Sequence, residues 1–285
     1  MTTTAYPPAH HLLTDLGMEA EVVSEAEAHV RTEVTPHVVG PDGGVRAGVL
    51  ATLVDVVGGS VALRAVGPEW MATADLVVER VRPALGPRIE ARATLRRRGR
   101  TTLVVEALVF ELATVATNPN PVAWATMTFA LRPKETDVAA GADGPSVDVP
   151  PEFPSTWAFT GDGFDHPVLE SLGVEVVDAP AGRLSMPVLP YHRNSFGAVQ
   201  GGAMALLAEA AAEKAIAAAT PLDAGPVAVS GLQVAYLALG RDGPITSRAT
   251  VLDSAPRSVA GAVVELADAS SGRVTTVVNV SAVAG

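Results

Sequence analysis

The 285-residue sequence contains no cysteine. Disulfides, thiolate metal sites and cysteine nucleophiles are therefore excluded. Lysine is nearly absent: only Lys134 and Lys214 occur, and the other eighteen basic residues are arginines. Acidic residues outnumber basic ones 31 to 20, for a formal net charge of −11. A general nucleic-acid or anionic-membrane binder shows the opposite balance. Eight arginines fall between Arg80 and Arg100, so one local basic patch can exist on an acidic protein. Residues 1–13 have no basic segment followed by an apolar run, so no secretory leader is expected. No apolar stretch reads as a membrane span. The longest, 201–220, contains Glu209, Glu213 and Lys214 and reads as a buried helix. A cytoplasmic protein with neither nucleic acid nor membrane as partner is expected.

Several catalytic signatures are missing as well. The six histidines do not form a compact metal signature, and no metal site is expected. The glycines at 40–44 lack the Lys-Ser/Thr of a phosphate-binding loop, and no Gly-x-Gly-x-x-Gly follows a strand. Gly-x-Ser-x-Gly is absent, which argues against a serine hydrolase of the α/β type.

What the chain does contain is a repeat. Arg46-Ala47-Gly48 opens an apolar run with Asp55 seven residues after its glycine, and Gln200-Gly201-Gly202 opens another with Glu209 at the same interval. Gly48 and Gly202, Asp55 and Glu209, Gly43 and Gly197, and Gly86 and Gly240 all stand 154 residues apart. Between the copies, 133–156 is rich in Pro, Gly, Ala and Asp and reads as a linker. The expected domains are 1–132 and 157–285.

In each copy a strand, 28–34 or 182–188, precedes a Gly-rich loop and a long helix. Strand-like runs then follow at 76–81, 89–95, 102–110 and 123–131, and at 227–237, 245–252, 259–266 and 274–283. One helix followed by antiparallel strands is an α+β plan. A helix apolar nearly all round suits a sheet that wraps it.

This pattern resembles the hotdog fold, in particular the acyl-CoA thioesterases of the phenylacetate and 4-hydroxybenzoyl types. That family carries Asn or Gln six residues before a His-Gly-Gly at the start of the central helix, and an acid nine residues after the His. Asn194, Gln200-Gly201-Gly202 and Glu209 meet that spacing in the second copy. A further likeness is the apolar strand ending near Arg-Pro, here 76–83. Gln200 replaces the usual His, and the first copy has Arg46-Ala47-Gly48 with Gly40 in the Asn place.

The resemblance implies two tandem hotdog domains, each an antiparallel sheet around a central helix, packed as a pseudo-dimer. It also implies sites built across the pair. One site joins Asn194, Gln200 and Gly201 to Asp55, with Thr73, eighteen residues past the acid, assisting. The other joins Glu209 to the Arg46-Ala47-Gly48 loop and has Val227 in the place of the hydroxyl. The first is expected to work and the second to be degenerate.

The chemistry suits these residue types. The free N–H of Gly201 at a helix N-terminus stabilises an oxyanion. Asp55 serves as base or nucleophile, while Asn194, Gln200 and Thr73 position substrate or water. Arg82 is held open as a contact for coenzyme A phosphate. Coenzyme A enters as part of the substrate, so no separate cofactor is implied. The expected function is hydrolysis of an acyl-CoA or acyl-carrier thioester, by a homodimer of double hotdogs. Two alternatives stay open: a non-catalytic acyl-CoA-binding module, and a hotdog acyl-thioester dehydratase. Asp55, Glu209, Gln200 and Asn194 also have plainly structural readings as buried hydrogen-bonding, helix-entry or turn residues.

Overall fold

The structure, a computed structural model, describes residues 6–67, 70–112, 121–132, 155–220, 225–253 and 259–284. The first half runs α1 (Leu12–Asp15), β1 (Glu19–Ser24), β2 (Glu27–Glu33), a single 3-10 turn, α2 (Ala47–Val66), β3 (Trp70–Arg80), β4 (Arg88–Arg98), β5 (Thr102–Leu112) and β6 (Pro121–Arg132). A short strand, β7 (Thr156–Ala158), comes next. The second half repeats the series: α3 (Val168–Ser171), β8 (Glu175–Asp178), β9 (Arg183–Met186), a 3-10 turn, α4 (Gly201–Ala219), β10 (Val227–Tyr236), β11 (Ile245–Asp253), β12 (Val259–Asp268) and β13 (Arg273–Ala284). The architecture is α+β. Most of the linker, 133–154, lies outside the described residues.

All thirteen strands form one antiparallel sheet in the order β7-β1-β2-β4-β5-β6-β3-β10-β13-β12-β11-β9-β8. The order β1-β2-β4-β5-β6-β3 is matched, element for element, by β8-β9-β11-β12-β13-β10. The halves join edge to edge where β3 pairs β10, with Val78 opposite Leu232. Those two residues stand 154 apart, so the dyad relating the halves passes through their pair. The sheet joint and the repeat in the sequence are one symmetry.

The two helices reach the same state by different routes. α4 is built largely of alanine, a strong helix former. α2 holds six valines and three glycines, which are poor ones. Its helicity depends on enclosure, since Val49, Leu53, Val54, Val57 and Val61 are almost completely buried under the sheet. Each such side chain contributes about 1.5–3 kcal/mol on leaving water. Gly58 lets β6 approach closely, because a Cβ there would lie 2.8 Å from Met127 Cε. By composition it is α2, not α4, that is long and apolar enough to cross a membrane; here it is the core helix of its half.

The loops before the two helices are also copies. Gly40 N–H donates to Gly44 O and Asn194 N–H to Ala198 O, both at 2.7 Å. Gly43 (φ 75°) and Gly197 (φ 71°) occupy the same left-handed position, which only glycine adopts without strain. The three short strands β1, β7 and β8 are absent from the sequence-based expectation. β7 and β8 are the sheet edges and β1 lies between β7 and β2; most of their side chains are exposed or only partly buried, so apolar alternation does not mark them.

Candidate active site

α2 and α4 pack against each other at two glycines. A Cβ on Gly48 would lie 2.7 Å from Leu206 Cα, and one on Gly202 would lie 2.6 Å from Thr52 Cβ. Each helix N-terminus therefore abuts the second turn of the other helix. First-turn N–H groups have no intrahelical acceptor and carry the positive end of the dipole. Something must satisfy them, and the two ends solve the problem differently.

At the start of α2, Glu209 from α4 satisfies them. Its Oε1 accepts from Ala47 N–H and its Oε2 from Gly48 N–H, each at 2.9 Å. Arg46 Nη1 lies 3.8 Å from Glu209 Oε1 and 3.0 Å from Glu213 Oε2. Glu209 is 1% exposed. Burial pushes its carboxyl up, opposed by Arg46, by the two amides and by Arg80. Glu213 is pushed up by burial and by Glu209, opposed by Arg46. A carboxylate thus already stands where a substrate oxyanion would have to bind, so this end is closed.

At the start of α4 the counterpart acid is Asp55, one methylene shorter than Glu209. Its Oδ1 accepts from Thr73 Oγ1 at 2.7 Å. The N–H groups of Gly201 and Gly202 meet no acceptor among the described residues. Burial pushes the Asp55 carboxyl up to about 6, with the Thr73 hydroxyl pulling the other way. Two tyrosines complete the surroundings. Tyr236, at the end of β10, donates its hydroxyl to Gly201 O at 3.1 Å. Burial and then the Asp55 charge raise the phenols of both Tyr236 and Tyr6. Asp55, Thr73, Tyr236 and the α4 N-terminus thus converge on one spot. The arrangement offers a carboxylate poised near neutrality beside unpaired backbone donors, the pairing that carbonyl addition requires.

The remaining candidates fall in different places. Gln200 is the N-cap residue of α4, 4% exposed, and its Oε1 has no partner among the described residues. Asn194 Oδ1 accepts from Phe196 N–H at 2.9 Å and from Ala198 N–H at 3.1 Å. Its carbonyl oxygen is thus committed to shaping the loop, leaving only the amide nitrogen for a ligand. Arg82 Nη1 pairs with Glu111 Oε2 at 2.7 Å, and Glu111 also accepts from Leu85 N–H. Arg82 thereby clamps the loop between β3 and β4. Arg96 pairs with Glu106 at 2.9 Å on the exposed sheet. Among the described residues no group of three or more His, Asp or Glu could hold a metal.

Sequence reasoning missed Tyr236, and it missed Arg46 and Glu213 as a pair. Tyr236 stands 154 residues after Arg82, so the repeat itself contained no sign of an aromatic there. Arg46 was legible as the residue in place of Gln200. Its partner Glu213 was legible one helical turn after Glu209.

A model of the thioesterase superfamily matches residues 43–114, from the loop before α2 through β5. A Halobacterium salinarum protein provisionally named an esterase is 38% identical over 121 residues, which is 39% of this chain and 78% of that protein. Among solved structures, a provisionally assigned oleoyl thioesterase of Lactobacillus plantarum superposes with a TM-score of 0.61 at 9% identity, covering 92% of this chain and 98% of that one. A provisionally assigned thioesterase of Novosphingobium aromaticivorans gives 0.59 at 18% identity, covering 93% and 98%. At these identities the structures show a shared fold, and it spans both halves.

Proposed function

Because the chain belongs to the thioesterase superfamily, we propose that it hydrolyses an acyl thioester, with coenzyme A as the thiol, to free acid and thiol at a single working site between its two halves. The observation that carries this reading is the difference between the two helix N-termini. Glu209 fills one end, while Asp55, one methylene shorter, is bonded to Thr73, and the amides of Gly201 and Gly202 meet no acceptor among the described residues.

The thioester carbonyl oxygen points at those two amides, which strengthen their hold as the oxygen gains charge. Asp55 either takes a proton from an attacking water or attacks the carbonyl carbon itself. In the first route the water oxygen forms the new bond, the C–S bond breaks, and the proton on Asp55 passes to the leaving sulfur. In the second, an acyl-aspartyl anhydride forms as sulfur leaves, and water then cleaves it. Thr73 fixes the Asp55 rotamer and holds its pKa down. Gln200 stands beside the incoming carbonyl, and Asn194 shapes the loop that presents it. Arg82 is the candidate contact for the coenzyme A phosphates.

In this reading the chain is a tandem double hotdog, a pseudo-dimer in one polypeptide. It is a cytoplasmic protein that pairs with a second copy and needs neither metal nor redox cofactor. Thiol release from short, long and aromatic acyl-CoAs tests the proposal. Turnover by the wild type, lost in Asp55→Asn, supports it. Turnover unchanged in Asp55→Asn removes Asp55 from the chemistry and sinks the proposal.

A further inference from the structure

Past Asp55, the two helices differ again. One turn on, α2 has Gly59 where α4 has Glu213. The strip of α2 formed by Asp55, Val56, Gly59, Ser60 and Leu63 is only partly buried, and a Cβ added at Gly59 would meet nothing within 4 Å among the described residues. The matching volume on α4 is filled. Glu209 and Glu213 are both buried there, and Arg46 reaches across to Glu213 at 3.0 Å.

Three of the four charged groups of the filled volume have uncharged counterparts on the open side, 154 residues away; the fourth, Glu209, is matched by Asp55. Gln200 replaces Arg46, Gly59 replaces Glu213 and Val234 replaces Arg80. An open strip that begins at the reactive carboxylate, lacks charge beyond it and lacks a side chain at its centre suits an apolar group joined to the carbonyl. Inside a helix a glycine is otherwise unfavourable relative to alanine. Gly58 next to it is explained by the approach of Met127; Gly59 has no such packing reason among the described residues.

We propose that the strip along α2 receives the acyl chain of the thioester, and that Gly59 sets how much chain it accepts. The inference rests on the hydrolase reading for the position of the carbonyl, but its test does not depend on turnover. Gly59→Ala and Gly59→Leu are compared with wild type for binding of ketone analogues of acyl-CoA, from acetyl to decanoyl, in which a methylene replaces the sulfur. Both variants place a better helix former into open space, so both fold and melt no lower than wild type.

Gly59→Leu leaves acetyl-analogue binding within about threefold. It weakens the longest chains by roughly sixty-fold, as three methylenes are excluded at about fourfold each. Gly59→Ala shows the same trend at reduced size. Equal weakening at every length would place Gly59 against the carbonyl rather than the chain and overturn the proposal, as would no change. Failure of the wild type to bind any analogue overturns it too. Length-dependent loss of binding in a protein that releases no thiol from the matching thioesters would leave the groove standing and sink hydrolysis instead.

Discussion

Replacing Glu209 by alanine separates the closed end from the working one. The substitution removes both acceptors of Ala47 and Gly48 N–H and takes one of the two carboxylates from Arg46. Each buried amide left without a partner costs about 1–3 kcal/mol. Part of this is offset, because the carboxylate no longer has to be held out of water. The net expectation is a loss of about 3 kcal/mol, or roughly 6–10 °C in melting temperature for a chain of this size. Denaturant titration at neutral pH reads the stability, and thiol release below the transition reads activity per folded molecule. Stability should fall while activity stays within about threefold of wild type, a difference of less than 1 kcal/mol in barrier height. A variant as stable as wild type but inactive would refute the reasoning, since Glu209 would then be catalytic and not a cap.

Two further outcomes follow from Asp55. Its folded pKa, about 6, lies above the ordinary 3.8, so its contribution to stability is full below about pH 4 and lost as pH rises through 6. Asp55→Asn should therefore stabilise the protein at pH 8 by up to about 3 kcal/mol and have little effect near pH 4, as thermal melts at the two pH values would show. The acidic limb of kcat/KM should fall near pH 6 for the wild type, because Asp55 works ionised. In Thr73→Val that limb should move to higher pH, since the hydroxyl that favours the carboxylate is gone; a pH–rate profile measures the shift.

Much of this was readable before any coordinates. The constant 154-residue spacing identified the duplicated helices and loops, and Val78 facing Leu232 across the sheet joint repeats that spacing in space. Strands with a buried face, such as β5 with its alternating burial, announced themselves by period two. Thr73 was found from its interval to Asp55, and the two do hydrogen-bond. The short strands β1, β7 and β8 were illegible because few of their side chains are buried.

The contrast between Asp55 and Glu209 was visible as letters but not as geometry. Glu209 reaches the opposite helix N-terminus, whereas Asp55, one methylene shorter, bonds Thr73, and a sequence does not record which partner a carboxylate meets. The Arg46–Glu213 pair and the contact of Tyr236 with Gly201 span the dyad or join distant elements. Arg46 and Glu213 were legible singly, but nothing local in the chain marks these contacts.

The claim that one end is open and the other closed is tested most directly by counting. Isothermal titration of the folded chain with a ketone analogue of acyl-CoA should give one site per polypeptide in the wild type. Two equivalent sites per chain would contradict the account, because they would require the Glu209 carboxylate to yield the α2 N-terminus to ligand.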